Sequence, residues 1–366
     1  MTSNHGHNLP LLIFYSVLGL LVFLWSLDLM VSAFQSIGDE TVNKVLSTTS
    51  NPFISLFIGI FITAVIQSSS TSTSLIVAIV ASGSMTLDNA IPMVMGANIG
   101  TTLTSTIVSL GYLTNNLEFK RAIAAGVIHD FFNILIVLVV FPLQYYYQIL
   151  SKVSNYFAVL FNVGPNGNDT GSNWQWEFFT PLNNYLHTLI ESKVLIILIA
   201  CILLFVSIKI ISKSIYNNLL EKAKTRLNEL FFSNPFKPFG LGMFLTATVQ
   251  SSSITTSIII PLAATGSIRI KKLFPYIIGC NIGTTITALI ASLYKSEAAL
   301  SLALAHIILN LIGTALFMLF PLLRNIPVYY AIKFGQMTSR YRIIGFIYVL
   351  LIFFLLPLSL IFINKL

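Results

Sequence analysis

Charge is what this chain has least of. Only 12 of its 366 residues are Asp or Glu and 20 are Lys or Arg, so 9% of the sequence is charged against 55% hydrophobic. About a quarter of an ordinary soluble domain is charged, so that class is excluded. Cysteine is nearly absent: Cys201 and Cys280 both lie in apolar segments, and no disulfide framework is implied. The soft or imidazole clusters that a catalytic metal needs are missing. No Ser–His–Asp spacing, Walker-type glycine loop or dinucleotide fingerprint occurs. The expectation is that the chain is not an enzyme and takes no organic cofactor. A net charge of +8 in so apolar a chain speaks of membrane topology, not of nucleic acid.

Long apolar runs are plentiful. Segments able to cross a hydrocarbon core of ~30 Å, roughly 20 residues each, lie near Leu9–Val31, Ala90–Leu110, Ala122–Phe141, Val194–Ile211, Leu273–Leu293, Ala298–Leu319 and Ile343–Ile363. The sequence thus predicts an all-α polytopic membrane protein in the lipid bilayer. The first run is too long and too poorly flanked by basic residues for a cleaved signal peptide, so a retained helix is expected. Over Lys209–Lys237, Lys209, Lys213, Lys222, Lys224, Arg226 and Lys237 outnumber Glu221 and Glu229, whereas Leu143–Ser192 holds only Lys152. The first stretch is expected in the cytoplasm and the second outside, with the N-terminus inside.

The segment Asn51–Leu110 recurs in register at Asn234–Leu293. Gln67-Ser68-Ser69-Ser70 matches Gln250-Ser251-Ser252-Ser253, and Asn98-Ile99-Gly100-Thr101-Thr102 matches Asn281-Ile282-Gly283-Thr284-Thr285. The basic turn Arg269-Ile270-Lys271-Lys272 corresponds to Thr86-Leu87-Asp88-Asn89, as expected for copies lying upside down to each other. A helix over Pro52–Met85 would be about 51 Å long at ~1.5 Å per residue. That is too long for one crossing and too short for two. Its polar centre predicts a re-entrant helical hairpin turning near the midplane, with a second at Pro235–Ile268.

Polar groups are costly in hydrocarbon, so two polar tips suggest one site built by two halves. Small residues also line ordinary helix contacts in membranes, but two matching strings make that bland reading the weaker one. Serine hydroxyls and helix N-termini suit an oxyanion. Hydroxyl, amide and carbonyl oxygens suit Na⁺. The phosphate-type candidates are Gln67, Ser68, Ser69, Ser70, Gln250, Ser251, Ser252, Ser253, Asn98 and Asn281. Cation candidates are Asp130, Asn133, Thr101 and Thr104, of which Asp130 is the one carboxylate well inside a predicted span. His129 and His306 occupy matching places, as do Asn133 and Asn310; such histidines are more often hydrogen-bonding groups than ligands. Asp28 is expected to make an interfacial or interhelix contact.

At these strings the chain closely resembles the type II sodium/phosphate cotransporters. The resemblance runs from Ser26-Leu27-Asp28 to Pro142 and from about Asn234 to Pro357. It includes Met95-Gly96-Ala97-Asn98-Ile99-Gly100-Thr101, Glu118-Phe119-Lys120-Arg121-Ala122 and His129-Asp130-Phe131-Phe132-Asn133. It implies Na⁺-driven uptake of inorganic phosphate, with both tips forming the site and Gln250, Ser251, Thr284 and Thr287 matching family Na⁺ ligands. It further implies that Asp130 matches the aspartate of charge-moving members, which couple three Na⁺ to divalent phosphate. Tyr112, Asn115 and Asn116 depart from the family pattern of Gln, Asp and Arg before Phe119. Short loops and the lack of a disulfide point to a bacterial inner membrane, with the C-terminus facing outward.

The expected organisation is a first transmembrane helix over 1–34, repeat one over 51–143 and an extracytoplasmic loop over 144–193. A helix and basic cytoplasmic segment follow over 194–233, then repeat two over 234–322 and a C-terminal segment with a last helix over 323–366. Sidedness is directly testable. A cysteine introduced at Asn166 or Asn89 should react with an impermeant thiol reagent in intact cells, and one at Thr225 or Lys271 should not. External labelling of Lys271→Cys would overturn the upside-down relation of the copies.

Overall fold

In the computed structural model, residues 9–36, 46–47, 49–161, 179–211, 234–293 and 296–363 are described. Asn166, Thr225 and the basic residues Lys213, Lys222, Lys224 and Arg226 lie outside the described residues. Every regular element among those described is helical. Among the described residues, seven helices are long and apolar enough to cross a membrane: Phe14–Gln35, Leu87–Leu110, Asn116–Tyr147, Lys193–Ile211, Ile270–Ser292, Glu297–Leu319 and Ile343–Ile363. Each overlies one of the seven apolar runs. The protein is an all-α polytopic membrane protein.

The polar strings are where helices break. Pro52 opens α2 (Pro52–Ile66) at the position that tolerates a missing N–H, and the Asn51 side chain accepts from the Phe53 amide at 3.0 Å. The helix stops at Gln67, which turns into the left-handed region at φ 56° while its N–H still bonds the Thr63 carbonyl. Ser68 then caps the next helix, α3 (Ser69–Ala81), by accepting from the Thr71 amide at 3.2 Å. The second copy follows the same steps. Gln250 ends α10 (Phe236–Val249) at φ 55°, and Ser251 caps α11 (Ser252–Ala264) through the Ile254 amide at 3.3 Å.

Glycine decides how these helices pack. α2 lies parallel to α4 (Leu87–Gly100), and a Cβ at Gly59 would strike the Met93 carbonyl, one at Gly96 the Leu56 carbonyl. In the second copy Gly242 lies on the Tyr276 carbonyl and Gly279 on the Phe239 carbonyl, which joins α10 to α12 (Ile270–Ser292). Such backbone-to-backbone approach is how helices associate where no water drives them together. Because α2 and α4 start at the same end, and α3 finishes just before α4, α3 returns to the end from which α2 came. α2 and α3 therefore form a hairpin, and α10 and α11 another.

The two hairpins enter from opposite ends of the bundle. α6 (Asn116–Tyr147) runs its length. Near its start Arg121 donates to the Thr265 carbonyl at 3.3 Å, in the turn leaving hairpin two, and Arg342 donates to Asn116 at 2.8 Å. Past its end Ser151 donates to Asp88 at 2.6 Å, in the first turn of α4, just beyond hairpin one. Rings of Phe132, Phe274 and Phe317 pack edge-on at 5.6, 5.4 and 6.1 Å where α6, α12 and α13 (Glu297–Leu319) meet.

Some elements differ from the expectation. The stretch read as a loop over 144–193 carries two helices, α7 (Ile149–Phe161) and α8 (Thr180–Leu189). From α8, Asn183 donates to Asp28 at 2.9 Å and accepts from Trp25 at 3.0 Å, tying it to α1 (Leu9–Gln35). α9 (Lys193–Ile211) follows. The C-terminal segment holds an extra helix, α14 (Pro321–Arg340), whose Gly335 sits on the Lys120 carbonyl and whose Tyr330 and Phe334 rings meet Phe131. Arg324, Lys333 and Arg340 hide it from any search for apolar runs. The last helix, α15 (Ile343–Ile363), contains one π turn over Leu351–Leu355. Pro357 lacks the N–H that would bond Phe353, so the helix re-registers there.

Close packing at Gly96 yields a stability prediction. Gly96→Ala should lower the thermal unfolding midpoint of the detergent-purified protein, since overpacking against backbone costs about 1–3 kcal/mol or more. Gly240→Ala, whose Cβ meets nothing, should be neutral or gain up to ~1 kcal/mol. Equal behaviour of the two would rule out the glycine contact as the joint between α2 and α4.

Candidate functional site

The tips of the two hairpins meet. Ser70 of hairpin one donates to the Gln250 carbonyl of hairpin two at 2.7 Å and lies 3.4 Å from the Thr287 hydroxyl. Ser253 of hairpin two donates to the Thr101 carbonyl at 3.4 Å, and Thr256 pairs with Ser105 of α5 (Leu103–Leu110) at 2.8 Å. Tip one thus docks on Thr287, three residues beyond Asn281-Ile282-Gly283-Thr284, and tip two on Thr101 and on Ser105 just beyond it. Ser69, Ser70, Ser252 and Ser253 are all buried, and Ser68 and Ser251 half-buried; the Ser252 hydroxyl has no partner. Gln67 is exposed and Gln250 half-buried. Neither glutamine side chain is hydrogen-bonded to a described residue.

Several chemical features converge there. α3 and α11 begin at the tips, so two helix N-termini bring unpaired amides and the positive ends of two dipoles to one place. Such ends bind anions. The same breaks free carbonyl oxygens, and Thr101 and Thr284 donate back to Ala97 and Cys280, which leaves their oxygens able to accept or coordinate. Thr104 has a buried hydroxyl without a partner. Anion donors and cation acceptors therefore stand within one cluster.

Asp130 forms a second centre. It is wholly buried, and its Oδ2 accepts from Thr106 at 3.2 Å and from the Tyr348 hydroxyl at 3.0 Å, while Oδ1 has no partner. Ser105, next to Thr106, carries the link to hairpin two. Tyr348 was not among the residues singled out from sequence, although a lone phenol in the otherwise apolar Ile343–Ile363 run is a legible signal. The π turn begins just beyond it.

Asn98, Asn281 and Asn133, also candidates from sequence, lie in one buried cluster. Their amides are engaged with one another and with Asn310, His129 and His306. This network is described below.

The comparisons with known proteins follow the same segments. Residues 22–164 and 203–361 match the model of the Na⁺/Pi-cotransporter family. The chain belongs to that family. It is 30% identical over 438 residues to sodium-dependent phosphate transport protein 2B of Homo sapiens, covering 92% of this chain and 63% of that protein. It is 31% identical over 418 residues to protein 2A of Ovis aries (92% and 65%) and 32% identical over 422 residues to protein 2A of Rattus norvegicus (94% and 66%). The chain spans less than two thirds of the length of these relatives. No solved structure matches it.

A glutamine at positive φ is a costly choice, by roughly 1–2 kcal/mol, and such strain is kept where the side chain has a task. Gln67→Gly and Gln250→Gly should therefore hold or raise the thermal midpoint of the purified protein, while Gln→Val at either place lowers it. A fall on substitution by glycine would show that the side chain holds the tip together instead.

Proposed function

We propose that this protein is a secondary active symporter that imports inorganic phosphate together with Na⁺, with both solutes taken at the meeting point of the two hairpin tips. The observation that carries the reading is the bond from Ser70 to the Gln250 carbonyl, which puts two helix N-termini and two helix breaks in one cluster. The names of the relatives, sodium-dependent phosphate transport proteins, agree with it. Phosphate takes its donors from Gln67 to Ser70 and Gln250 to Ser253. Sodium takes oxygens from Gln250, Ser251, Thr284 and Thr287, with Thr101 and Thr104 as their counterparts. Another oxyanion, or H⁺ in place of Na⁺, is the nearest rival, and a sensor that binds without transporting is the next.

The hairpins act as re-entrant elements of two inverted repeats, 51–143 and 234–322, and access alternates around them. The basic end holding Arg121, Arg269, Lys271 and Lys272 faces the cytoplasm of a bacterial cell, which sets the N-terminus inside and the C-terminus outside.

Asp130 makes the cycle electrogenic. Two hydroxyl donors occupy one carboxylate oxygen and leave the other for Na⁺. Three Na⁺ moving with HPO₄²⁻ transfer one net charge, worth about 2.3 kcal/mol per 100 mV. In proteoliposomes with the potential set by a K⁺ gradient and valinomycin, wild-type phosphate uptake should require Na⁺ and accelerate when the inside is negative. Asp130→Asn should make the remaining uptake insensitive to voltage. Equal voltage sensitivity of the two proteins would remove Asp130 from the charge count, and uptake without Na⁺ would refute the symport.

A further inference from the structure

Beneath the tips lies a fully buried amide and imidazole network that crosses between the repeats. His129, Asn133 and Asn98 come from the first, and their counterparts His306, Asn310 and Asn281 from the second; each is 5% exposed or less. Two backbone carbonyls fix its polarity. Asn133 donates Nδ2–H to the Asn98 carbonyl at 2.7 Å, and Asn310 donates to the His306 carbonyl at 2.9 Å. A carbonyl only accepts, so the Oδ1 atoms of Asn133 and Asn310 face the network as acceptors. Asn281 donates to both, at 2.7 and 2.8 Å, and Asn98 donates to Asn310 at 3.2 Å. What remain are the Oδ1 atoms of Asn281 and Asn98. His129 Nε2 meets the first at 2.9 Å and His306 Nε2 the second at 2.9 Å. Each imidazole must therefore carry its proton on Nε2 and donate. Both Nδ1 atoms are buried without a partner.

We propose that His129 and His306 are positioning residues, each holding the opposite repeat's Asn-Ile-Gly-Thr segment in the register that its own hairpin tip needs. His129 grips Asn281, and six residues further along α12 Thr287 receives Ser70 of hairpin one. His306 grips Asn98 at the end of α4, which leads to Thr101 and Ser105, the docking points of Ser253 and Thr256 in hairpin two. The support is crossed: each histidine steadies the tip of its own repeat by holding the other repeat's helix. As a solute effect the inference rests on the tips being the binding site, but the docking itself does not.

The test separates the two. Copper-phenanthroline oxidation of membranes carrying S70C/T287C reads the first docking contact, and S105C/T256C the second, with the linked peptides identified by mass spectrometry. His129→Leu leaves the Asn281 oxygen buried and unpaired, a loss that corresponds to about tenfold or more in an equilibrium. It should slow cross-linking of S70C/T287C about tenfold and leave S105C/T256C within about twofold; His306→Leu should do the reverse. His→Gln keeps an N–H donor and should restore each rate to within about twofold of wild type. In Na⁺-dependent phosphate uptake the Leu variants should raise the apparent KM about tenfold with a much smaller change in maximal rate, and the Gln variants should rescue it. Unchanged rates in the Leu variants would overturn the proposal. So would loss of both contacts together, or failure of the Gln variants to fold or to rescue, since the histidines would then be general core. Absence of Na⁺-dependent uptake in the wild type would overturn the symport reading, and the cross-linking pattern would still decide this one.

Discussion

A broken helix in hydrocarbon has no water to turn to, and most of this structure is arranged around that constraint. Ending α2 at Gln67 and α10 at Gln250 releases backbone groups in the middle of the molecule, where each unsatisfied one costs several kcal/mol. The sequence resolves the difficulty locally and then across the repeats. The left-handed glutamine keeps its own N–H in the helix it ends. The following serine caps the next helix, and one freed carbonyl, that of Gln250, is taken by Ser70. What is left over is two helix starts and a set of oxygens.

Local features of this kind were open to sequence reading. Gln-Ser between two apolar arms marked the two helix breaks, and Pro52 the start of α2. The seven apolar runs gave the seven long helices, because hydrocarbon thickness sets their length. Glycines in equivalent places of both copies, Gly96 and Gly279, stood where backbones touch.

What was not legible depended on contacts between residues far apart in the chain. Nothing adjacent to Asp130 says that Tyr348 will reach it, since that depends on α15 crossing α5 and α6. Asn98 and Asn281 were read as solute donors because their strings recur. Only the three-dimensional arrangement shows that their amides are already engaged. α14 escaped because three basic residues interrupt its apolar face, and α8 because ten residues of mixed character resemble a loop until Asn183 is seen holding Asp28 and Trp25.

The crossed network also bears on how such a chain can be assembled at all. The first repeat carries the His129 ring, whose Nε2–H finds its acceptor in the second, and the Asn98 Oδ1, whose donor His306 lies there too; the second repeat carries the complements. Each half serves as the polar solvent of the other. A half inserted alone would expose an imidazole and an amide to lipid, whereas two separate halves set antiparallel would quench both at once. The polar groups that close the molecule are thus supplied by both halves.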